Sequence, residues 1–415
     1  MAEAKPFGIS KRAVWEAYQR VKENRGAAGV DGQSLEDFER DLANNLYTLW
    51  NRLASGSYFP PPVLAVEIPK ACGGKRRLGV PTVSDRIAQM VVKKAFEPEV
   101  EPYFHPDSYG YRPGKSALQA VGVTRQRCWQ YDYVLEFDIK GLFDAIDRRL
   151  LMRAVAKHTD CRWVRLYIER WLVAPFAQAD GTRVARTSGT PQGGVVSPLL
   201  ANLFLHYVFD KWMDRHCAVQ PFARYADDGV VHCRSEAQAR WLKARLDERF
   251  RDCGLALHPE KTRVVCCNVT KPLGEGVHKT FDFLGYCFRP RLVRRRNGRM
   301  VVGFTPAISQ AAAKRVRAEV RRWRLHRRTF ASVQDLAQAV NPVIRGWIQY
   351  YGAYNRSALV PLLRHIDWHL LKWVKTKYRK RGRSWRRARR WLGRVARHQS
   401  ALFAHWRVVR PCAAE

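Results

Sequence analysis

Two short runs of strand-forming character, Phe222-Ala-Arg-Tyr-Ala and Gly229-Val-Val-His-Cys, flank a pair of adjacent aspartates, Asp227 and Asp228. Only a tight turn fits between runs so close, so the chain must double back here as an antiparallel hairpin. Asp-Asp-Gly is good turn chemistry, because short carboxylates capture nearby backbone donors and glycine frees the backbone. The same residues create an electrostatic conflict. Like charges side by side raise each other's pKa unless a cation intervenes, and a divalent ion such as Mg²⁺ accepts hard oxygen ligands of this kind. Taken alone, the pair reads more readily as an ordinary turn than as a metal site.

A second acidic strand end shifts that balance. Tyr133-Val-Leu-Glu-Phe-Asp138 is an apolar strand closed by a carboxylate, poorly placed for packing and well placed to face a partner strand. If the two acidic ends lie side by side, they can hold two metal ions roughly 3.5–4 Å apart, an arrangement that stabilises both the attacking and leaving oxygens of phosphoryl transfer.

Charge points to the substrate class. Lys and Arg number 74 against 37 Asp and Glu, a net charge of +37, which is far beyond what solubility requires and calls for a polyanion such as nucleic acid. The surplus is uneven: Ala311 to Glu415 holds 26 Lys and Arg against four acids, together with seven Trp. That interleaving suits phosphate contacts plus stacking surfaces, although most of these Trp read individually as helix core. The 10 Cys include no Cys-x-x-Cys pair, which suggests free thiols in a reducing, cytoplasmic setting. No signal peptide and no membrane-spanning segment is visible, so no membrane partner is expected.

Along the chain, residues 10 to 60 read as helices, with Ser10 as a cap and Ser34 with Asp37 as a capping box. Gly26-Ala-Ala-Gly-Val-Asp-Gly32 lacks the Gly-Lys-Ser/Thr ending of a phosphate-binding loop and reads as a turn. Val63 to Pro81 forms a hairpin around a basic turn, Ser84 to Val100 is helical, and the chain becomes almost wholly helical beyond Ala307. These signals divide it into a helical extension at 1–60, a mixed body at 61–300 and a basic helical region at 301–415.

In order, Glu136-Phe-Asp-Ile-Lys-Gly-Leu-Phe-Asp-Ala-Ile, Gly189-Thr-Pro-Gln-Gly-Gly-Val-Val-Ser-Pro and Tyr225-Ala-Asp-Asp resemble the palm signatures of reverse transcriptases. The flanking blocks Ile68-Pro-Lys, Arg76-Arg-Leu-Gly-Val-Pro-Thr, Ser108-Tyr-Gly-Tyr-Arg-Pro-Gly, Leu257-His-Pro-Glu-Lys-Thr and Phe283-Leu-Gly-Tyr resemble the group II intron-encoded members. Asn341-Pro-Val-Ile-Arg-Gly-Trp-Ile-Gln-Tyr-Tyr is similar to their thumb, or maturase, segment. The resemblance runs from about residue 24 to 406. It implies an α+β right-hand polymerase, with α/β fingers and palm and a mainly helical thumb/maturase domain.

Carried over by position, the resemblance implies that Asp138 and Asp227 ligate two Mg²⁺ ions with help from the Ile139 carbonyl, while Asp228 completes the acidic cluster. Lys70 and Arg76 would clamp the triphosphate of a deoxynucleotide, Gln192 would sit beside it, and Phe143 would exclude a ribose 2′-OH, unless it is simply core. Lys261 would lie near the primer side. Phe283, Leu284 and Gly285 would grip the primer, and Tyr109 and Arg112 would contact the template, with a purely structural turn as the alternative for the latter two. Arg345, Trp347, Arg386, Arg387 and Arg390 would bind group II intron RNA. The implied activity is RNA-directed DNA synthesis with maturase support of splicing and of intron mobility by target-primed reverse transcription. A polymerase-dead splicing factor, a relative domesticated for phage defence or spacer acquisition, and an RNA-copying RNA polymerase are the competing readings. No zinc-nuclease block follows the maturase segment, so the compact bacterial subclass without an endonuclease is the expected match. The oligomeric state, monomer or dimer on RNA, is left open.

Overall fold

The computed structural model describes residues 5–69, 74–268, 270–294, 298–378 and 384–409, so Lys70 lies outside the described residues. The chain forms two compact units. The first comprises Met1–Ser116, Leu135–Val231 and Ala237–Arg263, and the second comprises Ala117–Val134, His232–Glu236 and Val264–Glu415.

In the first unit, local chemistry sets the helix boundaries as the sequence suggests. The Ser10 hydroxyl accepts from Ala13 N to start Lys11–Glu23, and Ser34 and Asp37 exchange hydrogen bonds in a full capping box at Leu35–Arg40. Leu42–Ser55 stops at Gly56, whose φ of 78° suits only a residue without Cβ. The Tyr58 hydroxyl donates to buried Asp85 at 2.7 Å and the Tyr167 hydroxyl donates to the Leu53 carbonyl at 2.6 Å, which ties residues 1–60 into the body of the unit.

Strands β1 (Val63–Pro69) and β2 (Lys75–Val80) pair antiparallel from Leu64↔Val80 to Pro69↔Lys75. Next come β3 (Tyr133–Asp138), β4 (Phe176–Ala177), which runs parallel to β1, and β5 (Arg183–Val184). Then β6 (Phe222–Tyr225) and β7 (Asp228–Cys233) form the expected hairpin, with Tyr225 opposite Asp228, and β7 lies between β6 and β3 in the sheet. The face under the hairpin is an aromatic cluster of Phe137, Phe209 and Phe250. Gly229 lies flat against it: a Cβ there would come 2.1 Å from the Phe137 ring. The last strand to begin in this unit, β8 (Arg263–Cys266), carries the chain into the second.

The second unit holds an antiparallel sheet of β9 (Phe281–Phe283), β10 (Tyr286–Arg294) and β11 (Met300–Ile308). The unbroken β10–β11 register, from Tyr286↔Ile308 to Arg294↔Met300, passes straight through the expected boundary at residue 300. The last passage of the chain from one compact unit to the other falls after Arg263. Composition changes near 307, but hydrogen bonds hold the hairpin and the helices in one unit. Four long helices follow: Gln310–Arg322, Val333–Tyr351, Val360–Lys377 and Trp385–His398. They bury Val320, Leu325, Ile344, Ile366, Leu370 and Trp373 together. Buried Asp367 accepts from Trp406 Nε1 and pairs with His405 Nε2, which anchors the described end of the chain to the helices. No helix among the described residues is long and apolar enough to cross a membrane.

Candidate active site

The turn between β6 and β7 is built on a strained residue. Ala226 adopts φ 56°, a conformation that side chains other than glycine rarely take. Three contacts hold it there. Gly110 lies so close that a Cβ would come 2.5 Å from Ala226 N, and the Asn202 amide donates to the Gly110 carbonyl at 2.6 Å. Beneath the turn, fully buried Arg224 donates twice to fully buried Asp210, at 2.8 and 2.6 Å, and reaches the Asn202 side-chain oxygen and the Ala226 carbonyl. Desolvation pushes the Asp210 carboxyl upward, but the Arg224 charge and hydrogen bonds outweigh it and hold the group below the ordinary carboxylate range. Sequence reasoning missed this pair. Its one signal was an arginine in the middle of an otherwise apolar strand.

The two acidic strand ends do meet. Ile139 N donates to the Asp227 carbonyl at 3.3 Å, His258 N donates to the Asp138 carbonyl at 2.8 Å, and Lys140 N donates to the Ala256 carbonyl at 2.9 Å. The Leu257-His-Pro-Glu-Lys block is thereby laid along the end of β3, and Lys261 Nζ reaches Asp138 Oδ2 at 2.6 Å. Asp227 is raised by desolvation and by Asp138. Asp228 is exposed at the start of β7, yet desolvation, followed by Asp227 and Asp138, pushes its carboxyl to about 7. Such a set of hard, mutually repelling oxygens fits a divalent cation. The donors are gathered but not converged: among the described residues no three His, Cys, Asp or Glu side chains close on one ion position, and Asp138 spends an oxygen on Lys261.

The Gly189–Gly194 loop belongs to the same unit and holds Arg76, whose charge opposes the rise at Asp227. Gly189, at φ 74°, and Thr190 donate their N–H groups to the Ile146 and Phe143 carbonyls, at 2.8 and 2.7 Å. Phe143 is itself buried, on the short helix Leu142–Ala145. Gly79 N of β2 donates to the Gln192 carbonyl at 2.7 Å, and exposed Arg76 donates Nε to Gln192 Oε1 at 2.6 Å. Arg76 and Gln192 are therefore brought together within one unit.

Other expected site residues have different places. Tyr109 is buried, and the Arg112 guanidinium is spent on Glu101 and on the His105, Ser108 and Glu101 carbonyls. Both shape the Ser108–Gly114 turn, and neither presents itself to a template. The exposed aromatic of that segment is Tyr111, whose hydroxyl is raised by desolvation and by Asp227. Phe283 is core, while Leu284 and Gly285 form a tight turn at φ 51° and 79°, braced by the Tyr350 hydroxyl on the Leu284 carbonyl at 2.7 Å. Trp347 is half-buried and stacked on Trp323 with ring centroids 5.5 Å apart, so it is packing rather than a free platform. Arg345, Arg386, Arg387 and Arg390 are exposed, the last three on a helix that buries Ala388 and Leu392.

Comparison with known proteins places these features. Residues 68–288 match the family described as reverse transcriptase (RNA-dependent DNA polymerase), and residues 313–391 match the group II intron, maturase-specific domain. The chain is 32% identical over 326 residues to Protein YkfC of Escherichia coli K12, covering 68% of this chain and 80% of that protein. It is 34% identical over 202 residues to the group II intron-encoded protein LtrA of Lactococcus lactis subsp. cremoris, covering 48% of this chain but only 33% of LtrA. Telomerase from Candida albicans, solved with a fragment of telomeric RNA, aligns over 90% of this chain and 67% of its own at a TM-score of 0.47 and 10% identity. A likeness that distant carries no weight here.

Proposed function

Because the chain belongs to the reverse transcriptase (RNA-dependent DNA polymerase) family, we propose that it copies RNA into DNA at the Asp138, Asp227 and Asp228 cluster and holds folded group II intron RNA as a maturase. The observation that carries this reading is the meeting of two acidic strand ends, β3 and the β6–β7 turn, backed by a buried Arg224–Asp210 pair. Asp138 and Asp227, with the Ile139 carbonyl, would hold two Mg²⁺ ions, and Asp228 would complete the negative field. When bound, Mg²⁺ supplies charge stabilisation to the attacking and leaving oxygens.

The chain's own residues do the rest. Arg76, already seated on Gln192, offers its remaining guanidinium donors to a nucleotide triphosphate, a planar fork suited to phosphate oxygens; Lys70 is assigned beside it from sequence. The Gly189–Gly194 loop brings backbone close to the incoming deoxynucleotide, and Phe143 limits room at its ribose. Lys261 neutralises Asp138 and is positioned to meet a primer phosphate or supply a proton near it. Leu284 and Gly285 serve the primer strand through their half-buried turn. Arg345, Arg386, Arg387 and Arg390 contact intron RNA through phosphates, a grip that weakens steeply with salt. Splicing chemistry then belongs to the RNA, with the protein stabilising its active fold and later copying it at a DNA target. The free thiols among the described residues suit a reducing cytoplasm.

The test separates the two halves. A group II intron precursor RNA is incubated with wild type, Asp227→Asn, and Arg386→Gln/Arg387→Gln/Arg390→Gln. Splicing is expected to survive in Asp227→Asn and fail in the triple variant. Splicing indifferent to all three proteins would remove the maturase half.

A further inference from the structure

Among the described residues, Phe330 is the most exposed large apolar side chain, at 88%. It stands on the turn between helices Gln310–Arg322 and Val333–Tyr351. An apolar ring normally gains by burial, so a ring left in water on a mobile loop would mean little.

This turn is held firmly. Arg328 N donates to the Leu325 carbonyl at 2.9 Å, and Ala331 N donates to the Arg328 carbonyl at 3.2 Å. From below, buried Trp373 donates Nε1 to that same Arg328 carbonyl at 3.0 Å, and Lys377 Nζ donates to the Ala331 carbonyl. Ser332 and Asp335 then close a capping box directly after it. Phe330 is thus fixed outward by partners on both sides of its own turn.

The charge around it names the occupant. From Glu319 to Asp335 five arginines, Arg321, Arg322, Arg324, Arg327 and Arg328, stand against two acids: Glu319, paired with Arg322 at 2.8 Å, and Asp335, held in its capping box. A protein partner could use the ring, but a net positive segment calls for a polyanion, and an exposed ring one and two residues from Thr329 and Arg328 suits a base with its phosphate. A paired duplex offers no base face to it, whereas a loop or bulge does. We propose that Phe330, with Arg327 and Arg328, is a stacking site for an unpaired base of a structured RNA. The proposal rests on the reading of the C-terminal helices as an RNA-holding surface and adds to it a site that senses unpaired nucleotides.

The experiment uses the full chain and two probes: an RNA hairpin carrying 2-aminopurine in its loop, and a fully paired RNA duplex of the same length. Wild type is expected to bind the hairpin and change its 2-aminopurine emission. Phe330→Ala should lose about tenfold in hairpin affinity, with duplex affinity unchanged, because stacking on one aromatic ring is worth about that much. Phe330→Trp should retain both affinity and the emission change. Arg327→Gln/Arg328→Gln should weaken both probes and flatten the salt dependence. Equal hairpin binding by wild type and Phe330→Ala overturns the stacking site alone. A wild-type chain that binds neither probe overturns the RNA-holding surface itself.

Discussion

Replacing Arg224 with Met would test how the catalytic turn is held. Arg224 and Asp210 are both fully buried, with two charge-assisted hydrogen bonds of 2.8 and 2.6 Å, and Arg224 also reaches Asn202 and the Ala226 carbonyl. Removing one partner of such a pair leaves an uncompensated charge in the interior, at a cost of about 3–5 kcal/mol. The loss should depend on pH. In wild type the Asp210 carboxyl lies below its ordinary value, so its contribution is present above that value and disappears as pH falls through the lower one. In Arg224→Met desolvation is opposed only by the weaker influence of His206 and the carboxyl rises, so the deficit should be largest near neutral pH and shrink toward pH about 4. Urea unfolding followed by tryptophan emission, at several pH values, reads this directly. Combining Arg224→Met with Asp210→Leu should recover most of the stability, since apolar replacement of a buried pair is often neutral. A neutral-pH loss under about 1 kcal/mol, or a double variant no better than the single, would refute the reasoning.

Three further outcomes are expected. Gly110→Ala forces a Cβ to within 2.5 Å of Ala226 N and should cost roughly 1–3 kcal/mol while lowering kcat for nucleotide addition, measured by unfolding and primer extension. Asp228, raised to about 7, favours the fold in its protonated form, so its contribution is present below the ordinary carboxylate value and lost as pH rises through about 7. In metal-free thermal melts Asp228→Asn should therefore be more stable than wild type near pH 8 and equal to it near pH 4, and Mg²⁺ should stabilise wild type more than the variant. Phe143→Ala should raise incorporation of ribonucleotides by about 10-fold or more, if the ring limits room at the ribose, as judged by single-nucleotide extension with each sugar.

Local signals were legible in the sequence wherever their partners lay close by. The Ser34–Asp37 capping box joins residues three positions apart, and the β6–β7 hairpin is written in its own alternation and turn. What could not be read was long-range pairing. Lys261 meets Asp138 across 123 positions of chain, and Arg76 meets Gln192 across 116. Side-chain exposure was hidden for the same reason. Arg112 looked free because its acceptors are mostly carbonyls, which carry no signature in composition, and Trp347 looked like a platform because nothing marks Trp323 as its neighbour. The boundary near residue 300 followed composition, whereas the β10–β11 ladder follows hydrogen bonding.

The central claim is that Asp138 and Asp227 serve one polymerising site. Its most direct measurement is extension of a DNA primer on an RNA template with deoxynucleotides and Mg²⁺, using wild type, Asp138→Asn and Asp227→Asn matched for circular dichroism and RNA affinity. The account predicts a full-length product from wild type and none from either folded variant. Extension by both variants at the wild-type rate would contradict it.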